Sequence, residues 1–139
     1  MNPSELASLH ANAFTTMRAW KTAEFAALLS QSGTFLEARE GSFALIRVIA
    51  DEAEILTLAT DPAHQRKGYA RAILQQGHRK ASMHGAKSIL LEVAEDNTAA
   101  IALYTSLGYE LIGRRAGYYK RHDAPAVAAL VMRRDLISA

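Results

Sequence analysis

Glu92 sits alone among apolar neighbours in Ile89-Leu90-Leu91-Glu92-Val93-Ala94. A strand with one wet face would alternate polar and apolar residues rather than carry a single acid. Two readings fit: a strand end paired with an arginine, or a carboxylate held in a low-dielectric cleft. In such a cleft a carboxylate becomes more basic and can take a proton from an amine. Asn97 and Tyr104 follow, seven positions and therefore two helical turns apart, on one face of a helix. Asn97 can cap that helix or set its amide against a ligand's amide groups. Tyr104 can be core, or its phenol can give a proton to a thiolate leaving group in the same cleft as Glu92.

A second group supplies a different chemistry. Asp61-Pro62-Ala63-His64-Gln65-Arg66-Lys67-Gly68-Tyr69-Ala70-Arg71 joins a short apolar run, Glu54–Ala59, to a helical pattern carrying Ala70, Ile73, Leu74, Gly77 and Ala81. Pro62 stops the strand, and the turn delivers the unpaired N–H groups of a helix start. These carry partial positive charge and attract phosphate. Gly68 lets the backbone approach a bulky anion, and small Ala70 keeps the first turn open. Neither the paired glycines and Lys-Ser/Thr of a Walker loop nor the three-glycine dinucleotide fingerprint is present. The reading is a pyrophosphate cradle of another kind.

The elements that must position these groups follow from pattern. Pro3 opens a helix with Leu6, Leu9, Ala13 and Phe14 at helical spacing, and a second starts near Thr22, burying Phe25, Leu28 and Leu29. Residues 34–38, 43–49 and 54–59 read as an antiparallel meander. The cradle helix ends at Gly85, a strand spans 88–93, and a short helix runs from about Asn97 to Leu107 before Gly108. Tyr109–Arg114 and Ala126–Met132 close the chain as strands. The order αα-βββ-α-β-α-ββ gives a single α/β domain over 1–139, in which the strands on either side of the cradle helix form a parallel crossover in a mixed sheet.

Composition narrows the class. Of 139 residues, 50% are hydrophobic and 22% charged, and no apolar run approaches the roughly 18 residues of a membrane span. No cysteine is present, which removes thiolate nucleophiles and cysteine metal sites. The five histidines, His10, His64, His78, His84 and His122, lack metal-ligand spacing, so no metal is expected. A net charge of +2 is too small to argue for nucleic acid, although Arg114, Arg115, Lys120, Arg121, Arg133 and Arg134 cluster late in the chain, as solvated strand ends or as a site for an acidic ligand. The first residues do not read as a secretion signal, and the expectation is a cytoplasmic protein.

Gln65-Arg66-Lys67-Gly68-Tyr69-Ala70 resembles the coenzyme A pyrophosphate loop of the GNAT N-acetyltransferases, Gln/Arg-x-x-Gly-x-Gly/Ala. Leu91-Glu92-Val93, Asn97-Thr98-Ala99-Ala100-Ile101-Ala102-Leu103-Tyr104, Ser106-Leu107-Gly108-Tyr109 and Arg114-Arg115-Ala116-Gly117-Tyr118-Tyr119 are similar, in order, to the ribosomal-protein alanine N-acetyltransferases of that superfamily, over about residues 50 to 135. The resemblance implies a GNAT fold with flanking helices and a mostly antiparallel sheet, whose parallel strand pair splays to admit acetyl-CoA. It implies Glu92 as general base and Tyr104 as general acid. Backbone contacts to the acetyl group and pantetheine fall on Leu58, Ala59 and Thr60, and the pantetheine-binding asparagine on Asn97. Pyrophosphate contacts fall on Arg66, Lys67, Gly68, Tyr69, Ala70 and Arg71. The acceptor implied is a protein N-terminus, such as Ala of a small-subunit ribosomal protein. Tyr118 and Tyr119 can wall a peptide groove or pack at a strand end. Before residue 50 the resemblance fades: where the family often has Phe-Pro-Trp, Phe14 and Trp20 stand apart. A small-molecule amine or a lysine side chain as acceptor, and a non-catalytic acetyl-CoA-binding module, are the alternatives.

Overall fold

The computed structural model describes residues 1–13, 20–121 and 124–136. Two helices, α1 (Pro3–Ala13) and α2 (Thr22–Leu29), precede the strands β1 (Thr34–Arg39), β2 (Ser42–Ile49) and β3 (Glu52–Thr60). A 3₁₀ turn over Pro62–His64 leads to α3 (Tyr69–Met83), β4 (Ser88–Ala94), α4 (Thr98–Ser106), β5 (Glu110–Tyr119) and β6 (Val127–Asp135). The expected order of elements is the observed one. Phe14, expected on the first helix, lies outside the described residues.

One six-stranded sheet runs β1-β2-β3-β4-β6-β5, antiparallel except for the β3–β4 pair. Strand β2 alternates between faces and is buried on both, which is why Phe43-Ala44-Leu45-Ile46 reads as an unbroken apolar run. Phe43 and Leu45 pack with Leu6, Leu9 and Phe25 under α1 and α2. Ala44 and Ile46 pack with Ile73, Leu74, Leu91 and Tyr104 under α3 and α4. Gly77 allows α3 to lie close on the sheet, because a Cβ there would stand 2.6 Å from the Ile46 Cδ1.

Two features of the sheet open a cleft. Pairing of β2 with β3 passes from Leu45↔Thr57 to Ile46↔Ile55, leaving Leu56 as an extra residue, a bulge. The bulge shifts the side-chain phase, so Ile55 and Leu58, three apart, reach the same core. Strands β3 and β4 then pair only across Glu52↔Ser88, Ala53↔Ile89 and Glu54↔Leu90 before diverging. Beyond that point the edges of both strands face a wedge.

Strand β5 is longer than the pattern 109–114 suggested. It continues through Tyr119 with irregular pairing after Arg115, where Gly117 takes φ +63°. Its residues are mostly exposed because it is the sheet edge and no core cluster draws on it, so burial periodicity was absent from its second half.

Candidate active site

The wedge between β3 and β4 is a cleft of about 920 Å³. Its β3 wall carries Leu58, Ala59 and Thr60, its β4 wall carries Glu92, and α4 contributes Asn97 and Tyr104. The loop before α3 and the first turn of α3 contribute Arg66, Gly68, Tyr69, Ala70 and Arg71. Tyr118 and Tyr119 line it as well, together with His10, Ala13 and Trp20. Of the residues singled out for catalysis, coenzyme contact or the acceptor groove, Lys67 alone does not line this cleft.

The cradle end is built from backbone. Gly68 caps α3 in the left-handed region at φ +75°, and Arg66 is also left-handed at φ +64°. The Ala72 N–H is bonded to the Gly68 carbonyl at 3.1 Å, so the N–H groups of Tyr69, Ala70 and Arg71 precede the helical ladder. The Asp61 carboxylate accepts from the Ala63 N–H at 2.9 Å and secures the turn ahead of them. Arg71 reaches across to donate to the Ser106 hydroxyl at 2.7 Å, tying the start of α3 to the end of α4. Such a terminus, flanked by Arg66 and Arg71, suits a pyrophosphate.

The opposite end is built from side chains. The Glu92 carboxylate stands 3.5 Å from the Arg115 guanidinium and its side chain is 27% exposed, a wetter setting than the low-dielectric cleft expected. Tyr104 is buried, and burial first, with the nearby Tyr119 second, pushes its phenol well above the usual tyrosine range, so it stays protonated. Tyr119 is pushed up to about 12, chiefly by burial and then by the Glu92 charge. Asn97 caps α4, its side-chain oxygen accepting from the Ala100 N–H at 3.2 Å, which leaves its amide NH₂ for other partners. Tyr118 and Tyr119 rings meet edge to face at 5.2 Å between centroids, and Arg115 lies over the Tyr118 ring.

The late basic cluster is largely engaged in ion pairs with neighbouring carboxylates at the surface. Arg114 binds Glu95 at 2.9 Å, Arg121 binds Asp96 at 2.8 Å and Arg133 binds Asp135 at 2.8 Å. The Arg114 hydrogen bond also holds the Glu95 carboxyl below its ordinary range. Sequence reasoning did not single out His10 and Trp20 for the cleft. The His10 Nδ1 accepts from the Trp20 N–H at 3.2 Å and the two rings stack, a contact between distant positions with no local signature. Among the described residues no group of three or more metal-ligating side chains occurs, and no helix is long and apolar enough to cross a membrane.

A wedge of diverging parallel strands that ends at a bare helix start suits a long ligand with an anionic end. Residues 6–109 match the Acetyltransferase (GNAT) family, and the chain belongs to it. Within the family, it is 38% identical over 95 residues to the ribosomal protein bS18-alanine N-acetyltransferase of Escherichia coli, a match covering 68% of this chain and 61% of that protein. It is 36% identical over 106 residues to the N-alpha-acetyltransferase RimI of Mycobacterium tuberculosis, covering 76% of this chain and 63% of that protein. The chain thus spans about three fifths of the length of these relatives. The crystal structure of the Escherichia coli ribosomal-protein alanine N-acetyltransferase superimposes with a TM-score of 0.85 at 30% identity, covering 96% of this chain and 86% of that one.

Proposed function

We propose that this protein is a cytoplasmic, acetyl-CoA-dependent N-acetyltransferase acting on the N-terminal α-amine of a protein, with Ala of a small-subunit ribosomal protein as the favoured acceptor. The observation that carries the reading is the placement of Glu92 and Tyr104 on one cleft whose far end is the bare start of α3. The relatives named above for alanine and α-amine acetylation support the choice of acceptor.

Each group then has a chemical task. The N–H groups at the start of α3, with Arg66 and Arg71, hold the pyrophosphate of acetyl-CoA. Backbone groups of Leu58, Ala59 and Thr60 flank the acyl arm and polarise the thioester carbonyl. The Asn97 amide donates to the pantetheine. An α-amine has a pKa of about 8 and is largely protonated near pH 7, so it must lose a proton before it attacks. Glu92 takes that proton, and its partial exposure keeps a path to water. The amine nitrogen bonds to the acyl carbon, the C–S bond breaks, and the departing thiolate takes a proton from the neutral Tyr104 phenol. Tyr118 and Tyr119 wall the groove along which the acceptor chain lies.

The test is acetyl transfer to a panel of peptides with different first residues, with the modified atom located by tandem mass spectrometry. Transfer to the α-amine of Ala-initial peptides is expected. Acetylation confined to lysine side chains or to small amines would overturn the acceptor assignment, and acetyl-CoA binding without turnover would reduce the protein to a binding module.

A further inference from the structure

Behind Tyr104 lies a buried polar chain that the chemistry above does not use. His78, on the inner face of α3, is 6% exposed, and its Nε2 is 2.6 Å from the Tyr109 hydroxyl. Its Nδ1 accepts a hydrogen bond from the Arg134 guanidinium of β6. Arg134 reaches it by lying over Gly108, where a Cβ would stand 3.7 Å from the Arg134 Nε. An arginine can only donate, so Nδ1 is the acceptor and the imidazole proton sits on Nε2, aimed at the Tyr109 oxygen. Tyr109 in turn grips Tyr104 twice. Its N–H donates to the Tyr104 carbonyl at 3.0 Å, and the two rings pack at 5.7 Å between centroids.

Resting on the assignment of Tyr104 as proton donor, we infer that His78 and Tyr109 are positioning residues for the Tyr104 hydroxyl. Four separate elements meet here: β6 fixes the tautomer of a histidine on α3, which anchors the tyrosine ahead of β5, which sets the ring on α4. An apolar trio would fill the same space by packing alone. A hydrogen-bonded chain fixes one rotation of Tyr109, and through ring contact one tilt of Tyr104. Proton transfer to a leaving thiolate depends steeply on that tilt, because the donor must lie on line with the sulfur.

The experiment is a set of double-mutant cycles on the full chain, reading kcat and KM for both substrates. Tyr109→Phe and His78→Leu should each lower kcat between about threefold and tenfold, with both KM values unchanged. His78→Gln, which can still accept from Arg134 and donate to Tyr109, should restore most of the rate. In a Tyr104→Phe background, itself slowed at least about tenfold, neither change should cost anything further. Losses that multiply in that background, or that fall on KM instead of kcat, would show a merely structural role and overturn the inference. Should His78→Leu fail to fold, Tyr109→Phe deletes one buried hydroxyl and carries the same test. Full activity of Tyr104→Phe alone would instead remove the acid assignment, and this inference with it.

Discussion

The two ends of the cleft are made in different ways. At the cradle end the groups proposed to meet the ligand are backbone N–H groups from one continuous stretch, Arg66 to Arg71, whose shape is set by two left-handed residues and a helix start. At the end proposed for the acceptor they are side chains of α1, β4, α4, β5 and Trp20, brought together only by the finished sheet. A site built from backbone tolerates exchange of most side chains and is disabled by one misplaced charge. A site built from side chains fails residue by residue, each loss having its own kinetic signature.

The sharpest way to break this contrast is at Glu92. Glu92→Gln keeps shape and removes the proton acceptor, so acetyl-CoA affinity should stay near the parent value while turnover at pH 7 falls by roughly 10²–10⁴-fold. The rate should recover partly at high pH, where the amine loses its proton unaided. Parental turnover at pH 7 would reduce the Glu92–Arg115 pair to a surface ion pair, worth less than about 1 kcal/mol.

At the cradle the complementary experiment is Gly68→Asp. Nothing lies within 4 Å of a Cβ built at Gly68, so the new carboxylate enters open space where phosphate is expected. Repulsion should weaken acetyl-CoA binding on the order of a hundredfold, and should abolish the rise in melting temperature that ligand gives the parent. Gly68→Ala separates charge from backbone strain, since φ +75° costs any L-residue roughly 1–2 kcal/mol whatever its charge. Equal affinities for the aspartate and alanine variants would mean that no phosphate sits there.

The same contrast explains what could be read from the sequence. The cradle was legible because strand, proline, glycine and amphipathic helix succeed one another within about thirty residues, each acting on its neighbours. That Glu92, Asn97 and Tyr104 share one cleft was legible for the same reason: one acid in an apolar strand, then a polar cap and an aromatic at helical spacing. His10 and Trp20 were not, since their contact depends on how α1 folds back over β3. The bulge at Leu56 was also silent, because an extra residue in an apolar run leaves the run apolar. His78 misled by type: its position continues the apolar stripe of Ile73, Leu74, Gly77 and Ala81, yet a histidine is counted as polar until its partners are known.

That buried histidine, bonded to Tyr109 and Arg134, should contribute to how the protein responds to acid. Burial first, then the charges of Arg134 and Arg79, lower its pKa from 6.5 to about 4, so the folded protein holds it neutral. The unfolded chain takes up this proton below about pH 6.5, whereas the folded protein resists until about pH 4. Stability from this group is therefore complete above pH 6.5 and is lost as pH falls towards 4, by about 3 kcal/mol at most. Denaturant titrations at pH 7 and pH 4.5 should show a gap that narrows in His78→Gln. An unchanged gap would assign the acid sensitivity to the carboxylates.

The smallest effect expected is at the acceptor rim, where it separates the two ends most cleanly. Tyr118 is 50% exposed, its ring covered on one side by Arg115 and met edge-on by Tyr119. A half-exposed wall residue excludes water from the groove and contributes contact area without touching the reacting atoms. Removing it costs what a rim contact is worth, about 1 kcal/mol or less, which corresponds to a few-fold change in affinity. Tyr118→Ala should raise the acceptor KM by about two- to fivefold while kcat and acetyl-CoA affinity remain as in the parent. The choice of alanine matters, because Tyr118→Phe retains the ring under Arg115 and should leave even the acceptor KM unchanged. A fall in kcat would place Tyr118 beside the reacting atoms rather than along the groove. A loss of acetyl-CoA affinity would show that the two ends are not separate sites, and that the acyl arm reaches further towards β5 than the cradle geometry suggests.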